Sequence, residues 1–367
     1  MYPPLPPAIT LTLTILANDD TATSLRAMMA ILAVGTEYVG NHLSQVRLQH
    51  PDEAARLAEL IERVKAASDP SSAKVPKQHV VSQTLLRRFC EVVDARRGAQ
   101  LEELTLENEQ VRLIGPGGAG YITNFVKVDS ATTEARWQKV EGKVRAAIDA
   151  AEARTLPESP ELEDILLQAV ALHFARNPLS RDIHKRSFEA AYEHQLSVLA
   201  GQPLAEEAFR RAHEGIVVAG PEAGKLGAEV ALSNMRSKFD KGLFFRLRVE
   251  ELFESCTARF RGLGVEVLTV PKDLGTEFMI GDAPAVPTDA NHLFAGLDEG
   301  MGLGVASKVI LPLTPHLMIA LSQQPNSHSV TSEEVAALNR LEARAAQNHV
   351  YYRPSADLSG EVKGWRS

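Results

Sequence analysis

The sequence predicts an α+β fold, predominantly helical, with a small C-terminal antiparallel β-sheet and an N-terminal helical extension. Three observations lead there. Apolar residues recur at three- and four-residue spacing through most of the first two thirds of the chain, as in helices with one buried face. Short apolar runs bounded by Gly, Pro or Asp crowd the last third, as strands do. Between an early helical stretch and the remainder lies Ser68-Asp69-Pro70-Ser71-Ser72-Ala73, a linker composition. The 367 residues leave room for two or three ordinary domains.

Taken in order, the start is rich in proline (Pro3, Pro4, Pro6, Pro7) and reads as extended chain. A helix follows from about Thr23 to Leu48, and Pro51 and Asp52 open a second. There Leu57, Leu60, Ile61 and Val64 make one apolar stripe. Residues 1–73 are therefore expected to form a helical pair, a surface through which the chain could dimerise. A core domain is expected over 74–355, helical over about 74–262, with the small sheet and a closing helix over about 263–355. Residues 356–367 read as a tail.

Within the core, Ser159-Pro160-Glu161 starts a helix: capping residue, proline at the first position, acid in the first turn. Asn177-Pro178 ends it and opens the next, which runs to about Leu199. Further helices are expected over Leu204 to His213 and much of Pro221 to Arg261. Strands are expected at Val265–Val270, Glu277–Ile280, Lys308–Leu311 and Leu317–Leu321, with Thr314-Pro315-His316 as a hairpin turn. A capping box, Thr331 with Glu334, opens the last helix.

Composition bounds the function. A net charge of −8 argues against a general nucleic-acid binder but leaves local basic patches open. Cys90 and Cys256 lack the spacing of a metal or redox pair and read as buried free thiols. The apolar run Ile9 to Ala17 falls far short of a membrane span. A cytoplasmic protein without membrane partners is the expectation. Gly115 to Gly120 matches GxGxxG literally, but the following Tyr121 to Val128 alternates like a strand. A dinucleotide loop must open a helix, so a hairpin loop is expected instead.

Chemistry concentrates in a few segments. In Lys77 to Phe89, His79, Gln83 and Arg87 stand four residues apart and would share a helix face. They read either as a polar catalytic cluster, with histidine moving a proton, or as a solvated face. Arg176 and Arg181 straddle the Asn177-Pro178 elbow. They could hold a phosphate at the helix N-terminus or clamp helices by pairing with acids such as Asp182 or Glu141. Asp282 follows a strand and precedes a proline turn, as catalytic and turn-capping aspartates both do. No metal cage is visible, so metal and cofactor stay unknown.

With these elements in order, the chain resembles a bacterial family of domains of unknown function, number 4238. Five blocks carry the likeness. They are Lys77 to Phe89, Trp137 to Glu141, Phe174 to Arg181, Phe278 to Pro284 and Ile310 to Pro315, followed by Asn339 and Tyr351. Ser82 stands where that pattern has proline, and Gly281 where it has serine. The resemblance covers about residues 75–355 and implies an order of motifs rather than an activity. It adds Glu141, on a helix where the family carries a glutamate. From His79, Gln83, Glu141 and Asp282 as catalytic candidates, and Arg176 and Arg181 as phosphate ligands, the expectation is a nuclease-like or toxin-like hydrolase. Its substrate would be a nucleic acid or nucleotide. The alternative is a non-catalytic binding module whose polar network is structural.

Overall fold

A computed structural model describes residues 74–96, 98–201 and 221–366. The helical pair predicted over 1–73, the dimer surface placed on it and the helix over 204–213 lie outside the described residues. The chain divides into two compact units. One comprises 73–126, 130–184 and 248–367, and the other includes 127–129 and 185–247.

In the first unit the chain begins with strand β1 (Lys77–His79), the short helix α1 (Gln83–Arg88), then β2 (Glu91–Asp94), β3 (Gly98–Thr105), β4 (Gln110–Ile114) and β5 (Tyr121–Thr123). Long helices α2 (Ser130–Glu152) and α3 (Pro160–Ala175) pack together, and α4 (Pro178–Ala200) follows. After α5 (Pro221–Asp240) and α6 (Leu243–Phe260) come β6 (Gly264–Thr269), β7 (Ile280–Gly281), β8 (Val286–Thr288), β9 (Lys308–Thr314), β10 (Leu317–Ser322) and β11 (His328–Ser329). Helix α7 (Ser332–Ala345), strand β12 (His349–Tyr352) and helix α8 (Ser359–Arg366) close the chain.

The predicted fold class needs correction. Among the described residues the molecule is mixed α/β, with three sheets rather than one small C-terminal sheet. β1 pairs with β5, a five-stranded sheet runs β11-β6-β10-β9-β8, and another runs β2-β3-β12-β7 with β4 also on β3. The stretch expected to be helical from residue 74 thus opens with five strands. Their signal is weak for physical reasons: β1 and β5 have three residues each, and β4 is almost wholly exposed. In β3, Leu101-Glu102-Glu103-Leu104 has helix-forming composition. Pairing overrides it: Glu103 is buried opposite Arg112 in the β3–β4 register and accepts from Arg112 Nε at 2.6 Å.

Further along, the predictions divide. The β9–β10 hairpin turns at Thr314-Pro315-His316 as expected, and α7 begins with the Thr331–Glu334 capping box. β7 does not join that hairpin's sheet; it pairs with β12. The C-terminal sheet is not wholly antiparallel either, because β11 runs parallel to β6. The predicted tail contains α8, whose Val362, with Leu358 before it, is buried against Leu104, Met279 and Tyr352. Phe278, Val286, Ile310 and Met318 from the sheet side meet Val335, Leu338 and Leu341 of α7 in the main apolar core.

In the second unit Phe188, Leu232, Met235, Phe244 and Leu247 form a separate apolar cluster. Gly242, at φ +86°, makes the turn between α5 and α6.

Candidate functional site

The site grows from the turn between β1 and α1. Gln78 points inward: its Nε2 donates to the carbonyls of Val75 and Val126, and its Oε1 accepts from Val126 N at 2.7 Å. That anchor turns His79, the next residue along the strand, to the opposite face, where it is half-buried. Ser82 then caps α1, its Oγ accepting from Thr84 N. Behind the turn, Gly120 adopts φ +63°, and its carbonyl accepts from both Val80 N and Val81 N. A side chain there would meet Leu86 at 2.9 Å, so the position requires glycine. Gly120 N donates to Tyr351 Oη at 3.1 Å, tying β12 to the same turn.

His79 and Gln83 meet although they do not share a helix, since His79 ends a strand and α1 starts at Gln83. Arg87 Nη2 can only donate, and it donates to Gln83 Oε1 at 2.8 Å. Gln83 Nε2 therefore faces His79 Nε2, at 3.0 Å, and the imidazole nitrogen accepts. The other ring nitrogen is left to donate toward the Gly117 carbonyl. Burial lowers the His79 pKa and the charges of Arg176 and Arg87 add to this, opposed by Glu141 and Gly117. The ring is held neutral, in one tautomer.

The C-terminal turn of α3 holds this strand-to-helix turn from below. Arg176 Nη1 donates to the His79 carbonyl at 2.6 Å, and Arg176 Nη2 donates to Glu141 at 2.6 Å. The guanidinium also lies over the Trp137 ring, 5.0 Å from its centroid, and Arg176 is only 1% exposed. One turn earlier on α3, His173 Nε2 accepts from Ser82 N at 3.1 Å while Nδ1 donates to the Ala169 carbonyl. Complete burial, with Arg176 nearby, pushes the His173 pKa down to about 4, so it stays neutral. Burial pushes Glu141 up, but the charge and hydrogen bond of Arg176 outweigh it and hold its carboxyl below the usual range.

Thus His79, Gln83, Glu141 and Arg176 come together, with Arg87 at the exposed edge. Arg181 and Asp282 do not join them. Arg181 sits half-buried in the first turn of α4, with no hydrogen bond or ion pair among the described residues. Asp282 is buried and clamps the chain between α7 and β12. Its Oδ1 accepts from Gln347 N at 2.7 Å, and its Oδ2 accepts from Asn348 N at 2.9 Å and Asn348 Nδ2 at 3.2 Å. It does not cap its own turn, the alternative read from the sequence: the backbone N–H groups it accepts from lie 65 and 66 positions further on.

Two residues escaped the sequence reading. His173 lies three before Arg176, amid apolar residues that gave no cue. Glu134 lies seven before Glu141, so with Trp137 the three share one face of α2, a spacing that could have revealed it. Burial pushes the Glu134 pKa up to about 7, with Arg176 opposing and Glu141 reinforcing the rise.

Elsewhere three arginines outside this site are paired with acids. Arg88 bonds Asp149, Arg261 bonds Asp164, and Arg236 bonds Glu189 and Asp240. Arg236 also borders a groove of about 630 Å³ in the second unit, with Tyr192, Leu196 and Lys241. None of the predicted site residues lines it. The glycine loop joins β4 to β5, so a strand follows it, although those two strands lie in different sheets and form no hairpin. Cys90 and Cys256 are free, and burial raises their thiols to about 11 and about 12. Among the described residues no helix is long and apolar enough to cross a membrane, and no group of three or more His, Cys, Asp or Glu could hold a metal.

The fold and this polar turn define a class: a mixed α/β protein with a histidine presented from a strand end and braced by a buried arginine–glutamate pair. The chain belongs to the family described as "Protein of unknown function (DUF4238)", whose profile matches residues 77–356. No curated protein and no solved structure matches it.

Proposed function

We propose that the chain is a nuclease-like or toxin-like hydrolase acting on a phosphate-containing substrate, a nucleic acid or nucleotide, with His79 as general base. One observation carries this reading: a half-exposed histidine whose ring is oriented by the Arg87–Gln83 relay, whose pKa burial lowers, and whose carbonyl is held by the Arg176–Glu141 ion pair. A general base must be unprotonated near neutral pH and fixed in orientation, and both conditions hold for this ring. Positive charge for a phosphate comes from Arg87 and from Lys77, whose Nζ stands 4.9 Å from the Tyr121 ring centre beside His79. The role first given to Arg176 passes to them, because its outer nitrogens already bond His79 and Glu141 inside the protein.

That same burial favours the second reading, a binding module in which Arg176, Glu141 and Trp137 only hold the fold. Turnover separates the two. The full chain is incubated with single-stranded DNA and RNA oligonucleotides, and His79→Ala is compared with wild type at matched folded concentration. Loss of cleavage by about 10²-fold or more supports the hydrolase. No cleavage by wild type supports the binding module, and equal cleavage by both proteins removes His79 as the general base.

A further inference from the structure

We infer that the outer face of the β1–β5 ribbon takes single-stranded nucleic acid, with Tyr121 as the platform on which one base stacks. This rests on the nucleic-acid part of the reading above, and not on hydrolysis. The antiparallel register sets Lys77 opposite Thr123, Gln78 opposite Ile122 and His79 opposite Tyr121. Opposed residues share a face, and alternate residues along a strand return to it. Lys77, His79, Tyr121 and Thr123 therefore stand on one side of the ribbon. Gln78, buried and bonded to Val75 and Val126, makes that side the outer one.

These side chains make a continuous row with measured contacts. Lys77 Nζ lies 4.9 Å from the Tyr121 ring centre. The Tyr121 and His79 rings meet edge to face, with centroids 6.2 Å apart and planes at 64°. Gln83 then joins His79 at 3.0 Å, and Arg87 joins Gln83 at 2.8 Å. A cation thus stands at each end of the row, with the tyrosine and the histidine between. Lys77 and Arg87 are both exposed, and no carboxylate pairs with either among the described residues. In a chain of net charge −8, two such cations on one face complement a polyanion. The approach is open: Gly117, beside the His79 ring, is exposed, and a Cβ there would meet nothing within 4 Å.

Phosphate alone gives the tyrosine ring nothing to do; a nucleobase does. Aromatic rings set among cations hold single strands, because every base has a face to stack and every linkage a charge. The Lys77 ammonium over Tyr121 does not block the ring. An exposed cation–ring contact is weaker than a stacked base, so a base takes the ring and the ammonium moves to a phosphate. That placement brings the adjoining phosphodiester toward His79, the ring next to Tyr121. A duplex fits badly, since its bases are already stacked and paired and must be extruded at a cost before one reaches Tyr121. A mononucleotide engages one end of the row, whereas a strand passes both Lys77 and Arg87.

The test reads binding by fluorescence anisotropy on the full chain. The probe is a fluorescein-labelled oligonucleotide with phosphorothioate linkages, which slow cleavage, offered as single strand and as duplex. Wild type should bind the single strand at least about 10-fold more tightly than the duplex. Tyr121→Leu, which keeps apolar bulk without a ring, should weaken single-strand binding by about 10- to 100-fold. Tyr121→Phe should stay within about 3-fold of wild type. Lys77→Ala should reduce the slope of log affinity against log salt by about 0.7, a slope that Tyr121→Leu leaves unchanged. Equal binding of duplex and single strand, a mononucleotide that competes as well as the strand, or wild-type affinity in Tyr121→Leu would overturn the inference. Cleavage of the unmodified strand is measured beside binding. Binding as expected without cleavage keeps the platform and overturns the hydrolase; cleavage with the same KM in wild type and Tyr121→Leu keeps the hydrolase and overturns the platform.

Discussion

Two buried polar networks in the same unit invite comparison: the one around Arg176 and the one around Asp282. Both were candidate sites in the sequence, and both consist of a charged group cut off from water. At Asp282 each carboxylate oxygen accepts from backbone N–H groups of Gln347 or Asn348, and the job is complete within the protein. At Arg176 the outer nitrogens are used but Nε is not, and the neighbouring Glu134 Oε1 is also left over. The surroundings of Asp282 leave buried atoms unpartnered too, Glu342 Oε1 and His349 Nδ1. What separates the two is that the Arg176 network mounts the half-exposed His79, whereas Asp282 bonds only Gln347 and Asn348.

The largest expected effect breaks the second network outright. Arg176→Ala removes the partner of Glu141 and the donor to the His79 carbonyl. Glu141 is 22% exposed, so solvent relieves part of the cost of leaving it unpaired, and urea unfolding should show a drop of about 3 kcal/mol. A drop below about 1 kcal/mol would mean that Arg176 is not the keystone.

A smaller effect sharpens the contrast through pH. His173 titrates near 4 in the folded chain against 6.5 for an unhindered histidine. Its folded pKa is depressed, so the unfolded chain binds the proton first on acidification, and stability is lost as pH falls from 6.5 toward 4. Between pH 7.5 and 5 this amounts to about 2 kcal/mol. His173→Gln should lose that much less stability than wild type over the same interval. His184, also driven to about 4 by burial, contributes equally in both proteins. Identical pH dependence in the two would show that His173 protonates freely.

The smallest effect concerns a departure from the family pattern. Ser82 has φ −56°, which a proline ring would accept, yet its N–H donates to His173. Ser82→Pro, measured against Ser82→Ala to cancel the lost cap, should cost about 1 kcal/mol. No difference would mean that this hydrogen bond adds nothing.

How much of this could be read from residues alone follows from the range of each signal. Local signals read true: Pro160 starts α3, Asn177-Pro178 ends it, and Thr331 with Glu334 opens α7. The meeting of His79 with Gln83 was legible from spacing, but for a reason other than a shared helix. Pairing across long separations was not legible. Glu102 and Glu103 look like helix residues until Arg112 and β12 pair with their strand. Whether Asp282 acts on a ligand or on the chain's backbone depends on residues 347 and 348, more than sixty positions away. Its clamp persists with Gly281 in place of serine, and a side chain there would press on Glu342 at 3.2–3.3 Å.

The most direct test sets one residue of each network side by side: oligonucleotide cleavage per folded molecule, together with urea stability, for His79→Gln and Asp282→Asn. The expected result is a double dissociation. His79→Gln keeps its stability to within about 1 kcal/mol and loses turnover by at least about 10²-fold. Asp282→Asn loses stability by about 1–3 kcal/mol and keeps turnover per folded molecule. Turnover lost in Asp282→Asn and kept in His79→Gln would contradict the assignment of the two networks.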